Sequence, residues 1–242
     1  MWEVARSMFD VRCFPISLFE PFAPSCGHSP HCPLVQPASN QLDFPAPFSN
    51  RPRVPFRDVD MPLSDSISAL LNTPEPANLG PHPRGGTLSV RDVNARLDEA
   101  FRVSNVYAAS QQLIRSALLL WHDHLDASHT ISQDLHSSDG SFLHGIMHRR
   151  EPDYFNAKYW FHRVGNNASY PEIAQRVGAF LDTKGATALK AELIPGGQWD
   201  ADAFVDACEA ASGRRGTEEQ RILLREVQRI ETTVLIERFL AA

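Results

Sequence analysis

From about residue 87 the hydrophobic positions recur at intervals of three and four, the period of one face of an α-helix. In "SVRDVNARLDEAFRVSN" Val93, Leu97, Ala100 and Phe101 form one stripe, and Ser89 stands where an N-cap belongs. In "VYAASQQLIRSALLLWHDHLDASHTISQDL" Leu113, Ala117, Leu120 and Trp121 repeat in the same way. The turn "SSDG" follows, Ser141 is placed to cap the next helix, and Pro152 stops or bends it. Asp153 caps "YFNAKYWFHRV", which Gly165 closes. Ser169 and Glu172 make a capping-box pattern around Pro171, ahead of "PEIAQRVGAFL". "WDADAFVDACEAA" reads as a short helix between Gly197 and Gly213. Thr217 and Gln220 open the last and longest helix, where Leu223, Val227, Ile230 and Val234 share a face. No strand pattern and no internal repeat interrupts this series, so the sequence predicts an all-α fold. Leu224 and Leu235 fall off the stripe and are expected to be exposed, which permits a homodimer.

The first quarter of the chain is different. Ten of the 18 prolines fall in residues 1–60 and five more in residues 61–83, a density that forbids long helices and central strands. Residues 1–60 therefore read as a Pro-rich, poorly ordered leader, and residues 61–242 as a multi-helix domain. Met61 opens "MPLSDSISALL", where the folded chain begins and where an alternative start would fall.

Composition narrows the class. The chain has 242 residues, 43% hydrophobic and 21% charged, as in an ordinary soluble protein. Its net charge of −6 offers no basic surplus for nucleic acid. No apolar run approaches the roughly 18 residues that span a bilayer, and Asp10, Arg12, Pro15 and Glu20 break up any signal peptide. The expected location is the cytoplasm, with reduced thiols. Cys26, His28, His31 and Cys32 in "CGHSPHC" meet zinc spacing only in part, with no second pair downstream. Cys208 reads as a small buried side chain.

Candidate chemistry concentrates in two stretches. On a continuous helix "WHDHLDASHTISQD" sets His122, Leu125 and His129 on one stripe and Asp123, Asp126 and Thr130 on the next. "HGIMHRREPDY" holds His144 and His148 one helical turn apart, close enough to converge on one point. Asp126, His129, His144 and His148 would give a carboxylate and three imidazoles, a ligand set for zinc, iron or manganese. Glu151 is then the candidate general base of a metal-dependent hydrolase or oxygenase. Gly145 stands where a zinc protease would carry the glutamate of "HExxH". The dipeptide His122-Asp123 is similar to the pair in all-α metal phosphohydrolases, but its partner histidines are not convincingly placed.

The same residues carry two other readings. Arg149, Arg150, Lys158 and Arg163, walled by Tyr154, Tyr159 and Trp160, could bind a small anionic molecule. Alternatively, Arg149 or Arg150 could pair with Asp153, Glu151 or Asp126 in a buried polar network that only holds helices together. Nucleophilic catalysis is disfavoured, since no "GxSxG" turn presents Ser128, Ser132 or Ser141.

"LDASHTISQDL", "GSFLHGIMHRREPDYFNAKYWF" and "RVG" resemble the signature of a family of bacterial proteins, from about Met61 to the C-terminus. The likeness includes "FVDACEA" and the final helix. It implies a soluble, mainly helical domain and brings no activity, cofactor or catalytic residue with it. The family pattern carries arginine at the position of His162 and His-Pro at Asn166-Asn167.

Overall fold

The computed structural model describes residues 63–241, which form ten α-helices and no strand. They are α1 (Leu63–Leu71), α2 (Val90–Arg102), α3 (Ala108–Trp121), α4 (Leu125–Ser132), α5 (Ser138–Arg150), α6 (Tyr154–Val164), α7 (Tyr170–Thr183), α8 (Thr187–Leu193), α9 (Ala201–Ser212) and α10 (Glu218–Ala241). A 3₁₀ turn, Pro195–Gly197, joins α8 to α9. None of these helices is long and apolar enough to cross a membrane. The leader and its Cys/His motif lie outside the described residues.

Two helices occupy the middle. The second half of α3, Ser116 to Trp121, is buried on every side, as a helix apolar all round must be. Helix α5 is buried from Gly140 to Arg150 although it carries Ser141, His144, His148, Arg149 and Arg150. It packs on α3, α4 and α6, while α10 covers α3, α7 and α9. Buried polar groups demand partners, so α5 is where the sequence's polar clusters must be resolved.

Most starts and stops follow the sequence. Ser89 accepts from Asp92 N–H, Asp153 from Asn156 N–H, and Gly165 ends α6 at φ 61°. The expected stripe of α2 is the buried one: Val93, Leu97, Ala100 and Phe101.

Several expectations need correcting. The cap of α5 is Ser137, which accepts from Gly140 N–H, so the helix begins before Ser141. Ser169 makes no cap bond; Asn167 Oδ1 accepts from Ser169 N–H instead, at 2.8 Å. Leu224 and Leu235 are fully buried, which removes the apolar surface offered for a dimer.

The helical run through "WHDHLD" breaks at His122–His124, where Asp123 adopts φ 65°. Aspartate tolerates this left-handed conformation better than most residues. The break ends the stripe expected to join His122 to His129. His122 is turned instead toward α1, where its Nε2 bonds Leu70 O at 3.0 Å and its Nδ1 accepts Leu88 N–H at 3.1 Å. Both ring nitrogens are thereby used, which leaves none for the phosphohydrolase-like metal role.

Candidate functional site

Arg149 and Arg150 are the largest fully buried side chains among the described residues. Arg149 reaches α10, with Nη1 3.2 Å from Glu231 Oε1 and Nη2 2.5 Å from Glu231 Oε2. Its guanidinium also lies 4.1 Å over the Phe204 ring, and Gln228 Oε1 accepts from Nη2 at 3.3 Å. Burial opposes its charge, but Glu231 outweighs that and holds its pKa above the ordinary value. Arg150 points the other way. It donates to Asp123 Oδ1 at 2.6 Å, to Leu120 O, and to Gly80 O at 3.4 Å. Burial lowers its pKa to about 10, which leaves it charged at neutral pH.

A third arginine, Arg84, approaches Asp123 at 3.7 Å and donates to Trp121 O. The surplus positive charge of Arg84 and Arg150 sits at the C-terminal carbonyls of α3, the negative end of its dipole. The partners expected from sequence, Asp153, Glu151 and Asp126, are therefore not the ones used. Asp123 and Glu231 are, because α5 is enclosed on both of its arginine-bearing sides.

The other charges divide similarly. Lys158 pairs with Asp206 at 2.5 Å, on the face of α6 toward α9. Tyr154 and Lys158 line a surface cleft of about 420 Å³ with Phe155 and Glu209. Arg163 pairs with no carboxylate among the described residues; it lies 4.9 Å over Trp160 and donates to Tyr159 Oη at 3.2 Å. The expected anion pocket is thus dispersed: Arg149 and Arg150 have their charges spent inside.

The histidines do come together. One ring nitrogen from each of His129 on α4 and His144 and His148 on α5 lies within 4.8 Å of the others. His144 and His148 stack with centroids 4.8 Å apart, and His129 meets both edge-on, at 4.8 and 5.4 Å. Trp160 lies on His144 at 3.8 Å.

This packing depends on Gly145. A Cβ there would stand 3.1 Å from the Phe161 ring, so glycine lets α5 and α6 approach closely. The glutamate of a zinc protease could not occupy the same place.

Burial first, then His148, His129 and Arg163, lower the pKa of His144 to about 4. Burial also lowers that of His148, against the pull of Glu151. Both imidazoles are therefore neutral near pH 7, with lone pairs available to a cation. Nδ1 of His144 is buried without a hydrogen-bond partner.

Asp126 is not part of this group. It lies exposed in the first turn of α4 and lines a cleft of about 380 Å³ with Glu151, Asp123 and His124. A carboxylate in solvent at a helix N-terminus is stabilised there by the dipole, and no contact turns it toward His129. Glu151 is close: Oε2 lies 3.3 Å from His148 Nδ1, with Asp153 Oδ2 at 3.9 Å. Sequence reasoning missed Asn156, whose Nδ2 lies 3.1 Å from His148 Nε2. The turn at Pro152 folds α6 back and brings Asn156 there, a contact no helical spacing indicates.

No protein-family model, curated protein or solved structure matches this chain.

Proposed function

We propose that this protein binds a divalent transition metal, zinc by preference, through His129, His144 and His148. The observation that carries the reading is the convergence of three imidazole nitrogens within 4.8 Å, one of them on a buried histidine whose Nδ1 has no partner. Nitrogens bound to one zinc at 2.0–2.1 Å stand roughly 3.4 Å apart, so metal binding draws the rings inward by about 1 Å. Three imidazole nitrogen donors suit zinc and leave a coordination position for water. Zinc-bound water ionises near pH 7, which makes a hydrolytic or hydration reaction the natural use of such a centre.

Glu151 then acts by accepting the Nδ1–H of His148, which fixes the tautomer and directs the Nε2 lone pair to the metal. That contact gives it an orienting task in place of the general-base role read from sequence. Asn156 supports the same tautomer by donating to Nε2, and metal ligation through that nitrogen would displace it.

Asn156 also favours a second reading. With Glu151 on one nitrogen and Asn156 on the other, His148 is satisfied without metal, as in a polar network that only holds α5 to α6.

Elemental mass spectrometry on the full chain, purified without a histidine tag, separates the two. The metal reading expects close to one equivalent of zinc, iron or manganese, lost in His144→Ala and in His148→Ala while the helical circular dichroism persists. Cys26→Ser/Cys32→Ser should retain the metal. A folded, metal-free protein that takes up neither Zn²⁺ nor Co²⁺ on titration overturns the reading in favour of the network.

A further inference from the structure

Helix α6 turns an apolar stripe outward. Phe155 is 88% exposed, and Tyr159, one turn on, is 51% exposed. The next turn brings the exposed Arg163, whose guanidinium lies 5.9 Å from the Tyr159 ring. Single apolar side chains scattered over a surface are ordinary, whereas a contiguous row on one helix face marks an interface. Among the described residues the other exposed large apolar side chains, Val103, Tyr107 and Ile222, lie on other elements. We propose that this face of α6 docks a second copy of the chain, the two α6 helices lying antiparallel about a twofold axis. The proposal does not rest on the metal reading, and it uses a different surface from the buried Leu224 and Leu235.

Charge selects the occupant. Asp153 caps α6 through Oδ1, while Oδ2 accepts no hydrogen bond among the described residues, and the side chain is 52% exposed. The flanking cations Lys158 and His162 are engaged by Asp206 and Asp202 of the same chain. Arg163, with no carboxylate among the described residues, is left for a partner. Helix α6 thus presents a carboxylate at its start and a guanidinium at its end, roughly 15 Å apart along the axis.

A twofold antiparallel copy reverses that order, so Arg163 of each copy meets Asp153 of the other. This is the self-complementarity that a twofold interface requires. A parallel copy would set like charges side by side. The aromatic pair fits the same register. The midpoint of Asp153 and Arg163 falls within one residue, about 1.5 Å, of the midpoint of Phe155 and Tyr159. Tyr159 of the partner subunit therefore comes to Phe155, where the cleft lined by Pro152, Lys158 and Glu209 can receive its ring. A single short helix face covers less than the roughly 1,600 Å² of a standard interface, so the dimer is weak, with Kd on the order of 10–100 μM.

Sedimentation velocity of the full chain, from about 2 to 200 μM, should show a reversible monomer–dimer equilibrium. Phe155→Ser should weaken it about tenfold or more, as loss of a central aromatic does, with helical circular dichroism and thermal midpoint unchanged. Arg163→Asp and Asp153→Arg should each sediment as monomers, because like charges then meet, and an equimolar mixture of the two should recover the dimer. Should Asp153→Arg lose its fold together with its cap, Phe155→Ser and Arg163→Asp decide the matter. A monomer throughout that range, a dimer that Phe155→Ser or Arg163→Asp leaves intact, or a mixture of the two folded charge variants that stays monomeric overturns the proposal.

Discussion

His144 lies flat on Trp160, with ring centroids 3.8 Å apart and planes 12° from parallel. A proposed metal ligand is thus in van der Waals contact with a natural fluorophore. Titration with Cu²⁺ or Co²⁺ should quench the emission of Trp160 in proportion to occupancy. Trp160→Phe should remove that quenchable share and leave the signal of the other three tryptophans unchanged by metal. Emission that ignores both ions, in wild-type protein shown to be folded, would falsify the contact between metal and stack.

Gly145→Ala tests the approach of α5 to α6. Alanine favours a helix over glycine by about 1 kcal/mol, yet its Cβ would press on the Phe161 ring at 3.1 Å. That ring is buried and packed edge-on against Phe142, with centroids 5.5 Å apart, so it has little room to give. Overpacking costs about 1–3 kcal/mol. The expected result is a lower urea midpoint and weaker Trp160 quenching, because the two helices separate. A midpoint at or above wild type would show that the ring can move aside.

The pair Arg149–Glu231 predicts an asymmetry between single and double substitutions. Arg149→Ala alone leaves a buried carboxylate uncompensated, and Glu231→Ala a buried guanidinium; each should cost about 3–5 kcal/mol. Arg149→Met combined with Glu231→Leu should recover most of that loss, since neither charge is then buried alone. Denaturant titration of wild type and the three variants measures that asymmetry. An Arg149→Ala protein of wild-type stability that had lost affinity for phosphate would restore the anion-binding role read from sequence.

Acid should loosen the fold through His122. Burial is the main cause that pushes its pKa down to about 4, outweighing the bond to Leu70 that acts the other way. In the unfolded chain the group titrates near the ordinary value of about 6.5. Between those values the unfolded chain binds the extra proton, so native stability falls as pH drops from 6.5 toward 4. Above 6.5 this group adds no further pH dependence. Urea midpoints measured every half unit should show that slope, and His122→Asn should make it shallower without abolishing it, since His144, also lowered to about 4, adds to it in the same direction.

The fold was legible because helix signals are local. Ser89, Asp153 and Thr217 cap as their neighbours in sequence imply, and the apolar stripe of α2 follows from a count of threes and fours. The break at Asp123 was not legible. It depends on Arg84 and Arg150, 39 and 27 residues away, which hold the aspartate carboxylate in place.

The candidate site divides along the same line. His144 and His148 converge because four residues make a helical turn, and His129 joins them as the sequence suggested. Asp126, one turn away from His129, does not follow it, because spacing places a residue on a helix without saying what lies opposite. The arginines show the limit most clearly. Their number and position in "HRREPDY" imply an anion, whereas the fold assigns them Glu231 and Asp123 from distant segments.

Residues 72–89, between α1 and α2, contain no helix yet are tied to the core at many points. Arg150 holds Gly80 O, Gln228 holds Ala77 O and Asn78 O, and His122 and His124 hold the two backbone groups of Leu88. Ala77 and Leu79 are buried beneath them. Peeling this segment away would strip partners from Arg150 and Gln228 together, and fraying cannot do that one residue at a time. Its susceptibility to a protease should therefore follow the unfolding of the whole domain, with the same dependence on urea as the helices. A segment irregular in shape is, in the timing of its opening, part of the core.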